Sequence, residues 1–229
     1  MLVLAIDTST SQVGVAIGRP GTILGEVRLS GQRRHAEQLA PAIRYLLDES
    51  DSAAADLTAV AVGVGPGLFT GLRVGITTAK VLAQSLRVPV VPVSSLDLLA
   101  YPHRFARREV VALIDAKRGE VFTATYRQVP GGMQRVRPPR VCSPAVLAAD
   151  LEAERSDALL VGDGALAYRD VFGAVAHVEV AGPVAAHPSP GALLQLAYPR
   201  VEREEFVGPS EVAPVYLRAP DAVPNWDAR

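Results

Sequence analysis

Three observations predict an α/β protein whose sheets contain buried parallel strands. Val60–Val64 is a continuous apolar run that ends in Gly65-Pro66-Gly67 and leads into a helical pattern over 70–86, which suits a parallel strand covered on both faces. The chain opens with two short β-prone runs, 2–6 and 13–17, around the polar turn Thr8-Ser9-Thr10-Ser11-Gln12. The apolar run Val110–Asp115 then repeats that opening: it also ends in an aspartate, passes through Ala116-Lys117-Arg118-Gly119-Glu120, and enters a strand over 121–126. Asp115 stands 108 residues after Asp7. Apolar strands ending in aspartate are common, so this echo alone leaves an internal duplication open.

The remaining elements follow in order. Gly21 turns into a third strand near 23–29. From about 36 to 48, Leu39, Ile43, Leu46 and Leu47 recur at helical spacing and mark an amphipathic helix. After the 70–86 helix comes the strand 88–93. The Pro- and Arg-rich stretch 101–109 reads as a linker, which divides the chain into an N-terminal domain, 1–103, and a C-terminal domain, 104–229. In the second half a turn is expected at 130–132, helices near 144–154 and 189–197, and the strand Ala158–Val161 entering Gly162-Asp163-Gly164. The Pro-rich tail 219–229 reads as loose.

Composition narrows the function. With 229 residues, 49% of them hydrophobic, the chain can bury a substantial core without covalent staples. A single cysteine, Cys142, excludes an internal disulfide and fits a reducing cytoplasm, with a small buried hydrophobe as its simplest role. The formal net charge of −1 supplies no overall field for a polyanion, so tight tRNA binding by this chain alone is not expected. Arg33, Arg34, Arg104, Arg107 and Arg108 read as solvated charges. No run approaches the ~20 apolar residues of a membrane span.

Asp7 with Thr8, Ser9 and Thr10, and Asp115 with Gly119, each place a carboxylate at a strand end beside a turn rich in hydroxyls or glycine. That arrangement suits Mg-nucleotide binding; it equally suits a carboxylate that terminates its strand by bonding turn amides. Gly65 and Gly67 precede a helix whose free amides could receive a phosphate, or they could simply shape a strand-to-helix turn. The four histidines, His35, His103, His177 and His187, form no His-x-x-x-His pair, and Arg33-Arg34-His35-Ala36-Glu37 reads as a first helical turn rather than a ligand set. No Gly-x-Ser-x-Gly nucleophile motif is present. No catalytic or metal-binding residue is assigned. The 70–86 helix is apolar on more than one face: Leu72, Ile76, Ala79 and Ala83 line one, while Val74, Val81 and Leu82 lie on others. It should therefore be covered by the 36–48 helix and by another protein.

Six segments in order resemble the TsaB (YeaZ) family: Ala5-Ile6-Asp7-Thr8-Ser9-Thr10, His35–Pro41, Gly65–Arg73, Val93-Ser94-Ser95-Leu96, Ala112–Phe122 and Tyr216-Leu217-Arg218. Leu68 departs from that pattern, where a small polar residue is usual, which removes a hydroxyl from the loop. The resemblance implies an actin-like, Hsp70-like (ASKHA) fold of two RNase H-like domains with mixed sheets and flanking helices. It also implies a part in forming N6-threonylcarbamoyladenosine beside the anticodon of tRNAs reading ANN codons. In that system the related subunit TsaD is the transferase, and its metal-binding histidines would fall here at Ser95 and Leu99, neither of which supplies an imidazole. The resemblance thus implies an accessory subunit that pairs with TsaD, helps recruit the ATPase TsaE, and meets tRNA only within the complex. The expected interface is an exposed stripe of Leu39, Ile43, Leu46, Val74, Thr78 and Val81, and ATP or ADP with Mg could lie at a subunit boundary. Two rival readings are a small-metabolite kinase using Asp7 and Asp115 around Mg-ATP, and a homodimeric binding protein using the same helix face.

Overall fold

The buried apolar run from Leu2 to Ile6 sets the centre of the first sheet, because a strand with both faces covered must be apolar on both. The computed structural model describes residues 1–31 and 34–218; Arg33 and the tail 219–229 lie outside the described residues. The first half runs β1 (Val3–Asp7), β2 (Gln12–Arg19), β3 (Thr22–Ser30), α1 (His35–Glu49), β4 (Ala59–Gly63), α2 (Phe69–Leu86), β5 (Val90–Val93) and α3 (Ser95–Ala100). The second runs β6 (Glu109–Lys117), β7 (Glu120–Val129), β8 (Gly132–Cys142), α4 (Pro144–Glu154), β9 (Ala158–Val161), α5 (Asp163–Ala167), α6 (Arg169–Phe172), β10 (Val178–Val180) and α7 (Pro190–Glu202).

Both halves build the same sheet. The strand order is β3-β2-β1-β4-β5 in one and β8-β7-β6-β9-β10 in the other. In each, the first three strands form an antiparallel meander; the central strand then pairs in parallel with the fourth, and the fourth in parallel with the fifth. The echo of Ile6-Asp7 in Ile114-Asp115 is therefore the visible part of a repeated topology.

The helices do not respect the division at 103/104. One face of the first sheet, with Leu4, Ile6, Val15 and Ile17, is covered by Leu39, Ile43 and Leu46 of α1 and Leu72, Ile76, Ala79 and Ala83 of α2. Its other face, with Val3, Ala5, Ala61 and Val91, is covered by Leu193, Leu194, Ala197 and Tyr198 of α7, an element of the second half. Conversely, α3 of the first half sends Leu96, Leu99 and Ala100 against Ala112, Ile114 and Phe122 of the second sheet. The other face of that sheet packs on α4 and α6 through Leu147, Leu151 and Phe172. The chain then returns to the first half after α7: Val207 bridges Val90 in antiparallel fashion, and Val215 N donates to Val64 O. The boundary 1–103 and 104–229 separates the two sheets but not the layers that cover them. No helix among the described residues is long and apolar enough to cross a membrane.

Candidate functional site

The N-terminal turn is closed on itself. Ser9 donates to Asp7 Oδ1 through both its amide, at 3.2 Å, and its hydroxyl, at 2.8 Å. The Thr8 hydroxyl donates to Gly71 O at 2.7 Å, and Leu68 N donates to Ser9 O at 2.7 Å. Leu68 caps α2 with no side-chain hydrogen bond.

A row of glycines lets this turn lie directly on α2. A Cβ at Gly67 would stand 2.2 Å from Ser9 O, at Gly71 2.1 Å from Thr8 O, and at Gly75 2.3 Å from Thr8 Oγ1; on β4, a Cβ at Gly63 would stand 1.8 Å from Asp7 Oδ2. No side chain fits in those places. The four-residue spacing of Gly63, Gly67, Gly71 and Gly75 was a signal in the sequence for such an approach.

Asp7 is buried, and its Oδ2 has no hydrogen-bond partner. Burial raises its pKa from 3.8 to about 6, outweighing the two bonds from Ser9 and the nearby Ser95 hydroxyl, which favours the ionised form without closing a bond of normal geometry. Ser95 itself ties down the glycine loop: its Oγ accepts from Gly65 N at 3.1 Å, and its own amide donates to Gly65 O at 2.9 Å. Gly65 holds φ at +104°, a backbone that suits glycine. Leu99 is buried in the core under the second sheet. Thr10, also buried, is held from two sides: His35 Nε2 lies 2.8 Å from its carbonyl and His187 Nδ1 3.0 Å from its hydroxyl. Sequence reasoning placed Thr10 in this turn but did not single out His187 or Ser95 as its partners, because they come from segments far apart in the chain.

The C-terminal turn is open. Asp115 pairs with Lys117, Oδ2 to Nζ at 2.6 Å and Oδ1 to the amide at 2.8 Å, and its own amide donates to Asp163 Oδ1 at 3.0 Å. Burial raises the Asp163 pKa to about 6. Gly119 has φ +76° and open space where a Cβ would stand. No hydrogen bond or ion pair joins Asp7 to Asp115 among the described residues. The residues proposed from sequence to receive a nucleotide do not fit Mg-phosphate as they stand. The hydroxyls of Thr8 and Ser9 are spent internally, the free oxygen of Asp7 is enclosed by Gly63, and Asp115 is neutralised by Lys117. Among the described residues no group of three or more His, Cys, Asp or Glu is placed to hold a metal ion.

The apolar stripe of α1 lies elsewhere than expected. Leu39 and Leu46 are 2% and 3% exposed and Ile43 9%, because the leucine and isoleucine spacing that makes α1 amphipathic is the spacing that seats it on its own sheet. Truncating such residues costs about 2–5 kcal/mol of stability, so they serve the core first. What remains open is a groove between α1 and α2. One part, of about 510 Å³, has Leu39 as floor and Ala36, Ala40, Phe69, Arg73 and Val74 as walls. A second, of about 610 Å³, shares Ala40, Thr77 and Thr78 with it and continues over Ile43, Leu47 and Val81. Val81 is 59% exposed, while Val74 and Thr78 are half-buried. At one end the Arg73 guanidinium sits 3.9 Å over the Phe69 ring, which packs on Tyr216 at 5.5 Å.

Two copies of one five-strand sheet, joined by helices that cross from each half to the other, define an actin-like protein of two RNase H-like units. The model of the family described as TsaD, tRNA N6-adenosine threonylcarbamoyltransferase, matches residues 22–226. The tRNA threonylcarbamoyladenosine biosynthesis protein TsaB of Bacillus subtilis (strain 168) is 32% identical over 99% of this chain and 98% of its own length. The TsaB of Escherichia coli (strain K12) is 31% identical over 95% of each. The solved structure of YeaZ from Pseudomonas aeruginosa superimposes with a TM-score of 0.81 at 32% identity, covering 94% of this chain and 99% of that one. The chain belongs to the TsaB (YeaZ) family.

Proposed function

We propose that this chain is an accessory, non-catalytic subunit of the cytoplasmic machinery that adds threonylcarbamoyl to N6 of the adenosine beside the anticodon in tRNAs reading ANN codons. It pairs with TsaD through the α1–α2 groove and helps recruit TsaE; tRNA is engaged within the assembly. The relatives named for tRNA threonylcarbamoyladenosine biosynthesis support the pathway.

The observation that carries the non-catalytic reading is the use made of positions 95 and 99. Ser95 bonds both polar groups of Gly65, and Leu99 is spent in the hydrophobic core. Neither side chain is presented as a ligand. The closed Asp7 turn speaks in the same direction against a kinase that works through Asp7 and Asp115. The groove supports pairing because its floor is apolar, its rim carries Arg44 and Arg73, and among the described residues Val81 is left 59% exposed.

The test is tRNA threonylcarbamoylation in a mixture of this chain, TsaD, TsaE, threonylcarbamoyl-adenylate, ATP and tRNA, with each protein omitted in turn. Activity that requires TsaD and rises strongly with this chain is the expected result. Modification by this chain without TsaD would overturn the reading.

A further inference from the structure

We infer that Tyr101, Arg104, Phe105 and Arg107, on the segment between the two sheets, form a stacking platform for single-stranded RNA. The inference rests on the proposed role in tRNA modification and concerns a surface that this role does not use.

Arg104 lies over two rings. Its guanidinium lies 4.4 Å from the Tyr101 ring centroid and 4.6 Å from that of Phe105, and it is anchored by a hydrogen bond from Nη1 to Tyr101 O at 3.3 Å. A guanidinium held over two rings and anchored by a hydrogen bond is preorganised, so its remaining donors can meet a phosphate with little loss of side-chain freedom. Phe105 belongs to neither core and is 73% exposed, leaving most of the ring open to a planar group. Residues 101–108 hold three arginines and a histidine with no carboxylate, in a chain of net charge −1. Arg108 is committed to Asp157 and Glu179. Arg107 is exposed and has no ion-pair partner among the described residues. Burial lowers the pKa of His103, which favours a neutral ring able to donate and accept.

The platform also continues into a cavity of about 480 Å³, which Tyr101 lines together with Asp97, Tyr126, Met133 and Arg135. Its polar wall is ordered: Tyr126 OH donates to Asp97 Oδ1 at 2.7 Å, and Arg135 pairs with the same oxygen at 2.6 Å. A stacking ring, a clamped cation, a free cation and an adjoining half-polar cavity match the base and phosphate of an unpaired strand. A protein partner would instead call for a broad apolar patch, and Phe105 stands alone among charges.

The test is fluorescence anisotropy of the full chain with a labelled single-stranded RNA of about 12 nucleotides, read between about 50 and 200 mM salt. Phe105→Ala should weaken binding roughly 5- to 150-fold, the range for loss of one base stack. Arg104→Gln with Arg107→Gln should weaken it and reduce the salt slope by about 1.4, whereas Arg19→Gln, at the end of β2, should lower it by no more than a uniform charge effect. Three results would overturn the inference: no binding by the wild-type chain, binding indifferent to Phe105, or a Phe105→Ala defect confined to association with TsaD. The functional reading fails separately, if tRNA threonylcarbamoyladenosine in cells does not depend on the chain at all.

Discussion

The two strand-turn-strand units share a topology and differ in what covers them. After β4 the first half places the 18-residue α2, whose glycine edge receives the Asp7 turn and buries it. After β9 the second half has only the 5-residue α5, so the Asp115 turn stays at the surface and settles its charge with Lys117. One sheet order therefore supports a locked turn and an open one. The locked turn holds up a long helix whose outer face is free to meet a partner.

The largest expected difference between the halves comes from filling the locked contact. Gly71→Val would drive a side chain into the backbone oxygen of Thr8 and should cost more than about 3 kcal/mol or prevent folding. Gly119→Ala, with open space and only a left-handed backbone to tolerate, should cost about 1–2 kcal/mol in urea unfolding. Equal losses would erase the distinction.

Next in size is the groove. Val74→Glu places a charge on a half-buried wall and should weaken pairing with TsaD by several kcal/mol, while the isolated chain keeps its unfolding free energy within about 1 kcal/mol. Ile43→Asp is the poorer probe, since Ile43 lies in the core and unfolding would accompany loss of pairing.

Asp7 gives the third effect, through pH. Its folded pKa of about 6 lies above the ordinary 3.8, so between those values the folded chain holds a proton that the unfolded chain has released. Stability then falls as pH rises, and the loss is complete above about 6. Asp7→Asn carries no such penalty, so its stability relative to wild type should rise by on the order of 2–3 kcal/mol between about pH 4 and pH 7.5. Asp163→Asn should change in the same direction by less, because Asp163 is half-buried and Lys117 favours its charged form. A flat difference for Asp7→Asn would place that carboxylate in water. The smallest effect belongs to the open turn: Lys117→Ala removes a pair whose lysine is 61% exposed and should cost no more than about 1 kcal/mol.

Much of this arrangement is legible in the residues. Continuous apolar runs announce β1, β4 and β6, and the 3–4 spacing in 39–46 and 72–83 announces α1 and α2. The reading failed where the signals are weak or come from distant parts of the chain. Strand β8 contains Arg135-Val136-Arg137-Pro138-Pro139-Arg140, a polar run with two prolines that only a sheet edge tolerates, and there its arginines pair with Asp97, Glu154 and Asp150. The short elements α3, α5, α6 and β10 are too brief to show a period. The stripe Leu39, Ile43 and Leu46 reports that α1 is amphipathic, but not that the sheet beneath takes all three and leaves Ala36 and Ala40 outward. Nor does local sequence show α7 crossing to the first sheet.

The most direct measurement is threonylcarbamoylation in the reconstituted mixture with wild type, Val74→Glu and Asp115→Asn in parallel. The account predicts that Val74→Glu loses the stimulation of TsaD while Asp115→Asn keeps it. Full activity with Val74→Glu and loss with Asp115→Asn would contradict it, and would locate the function of this chain in the open turn rather than on the face of α2.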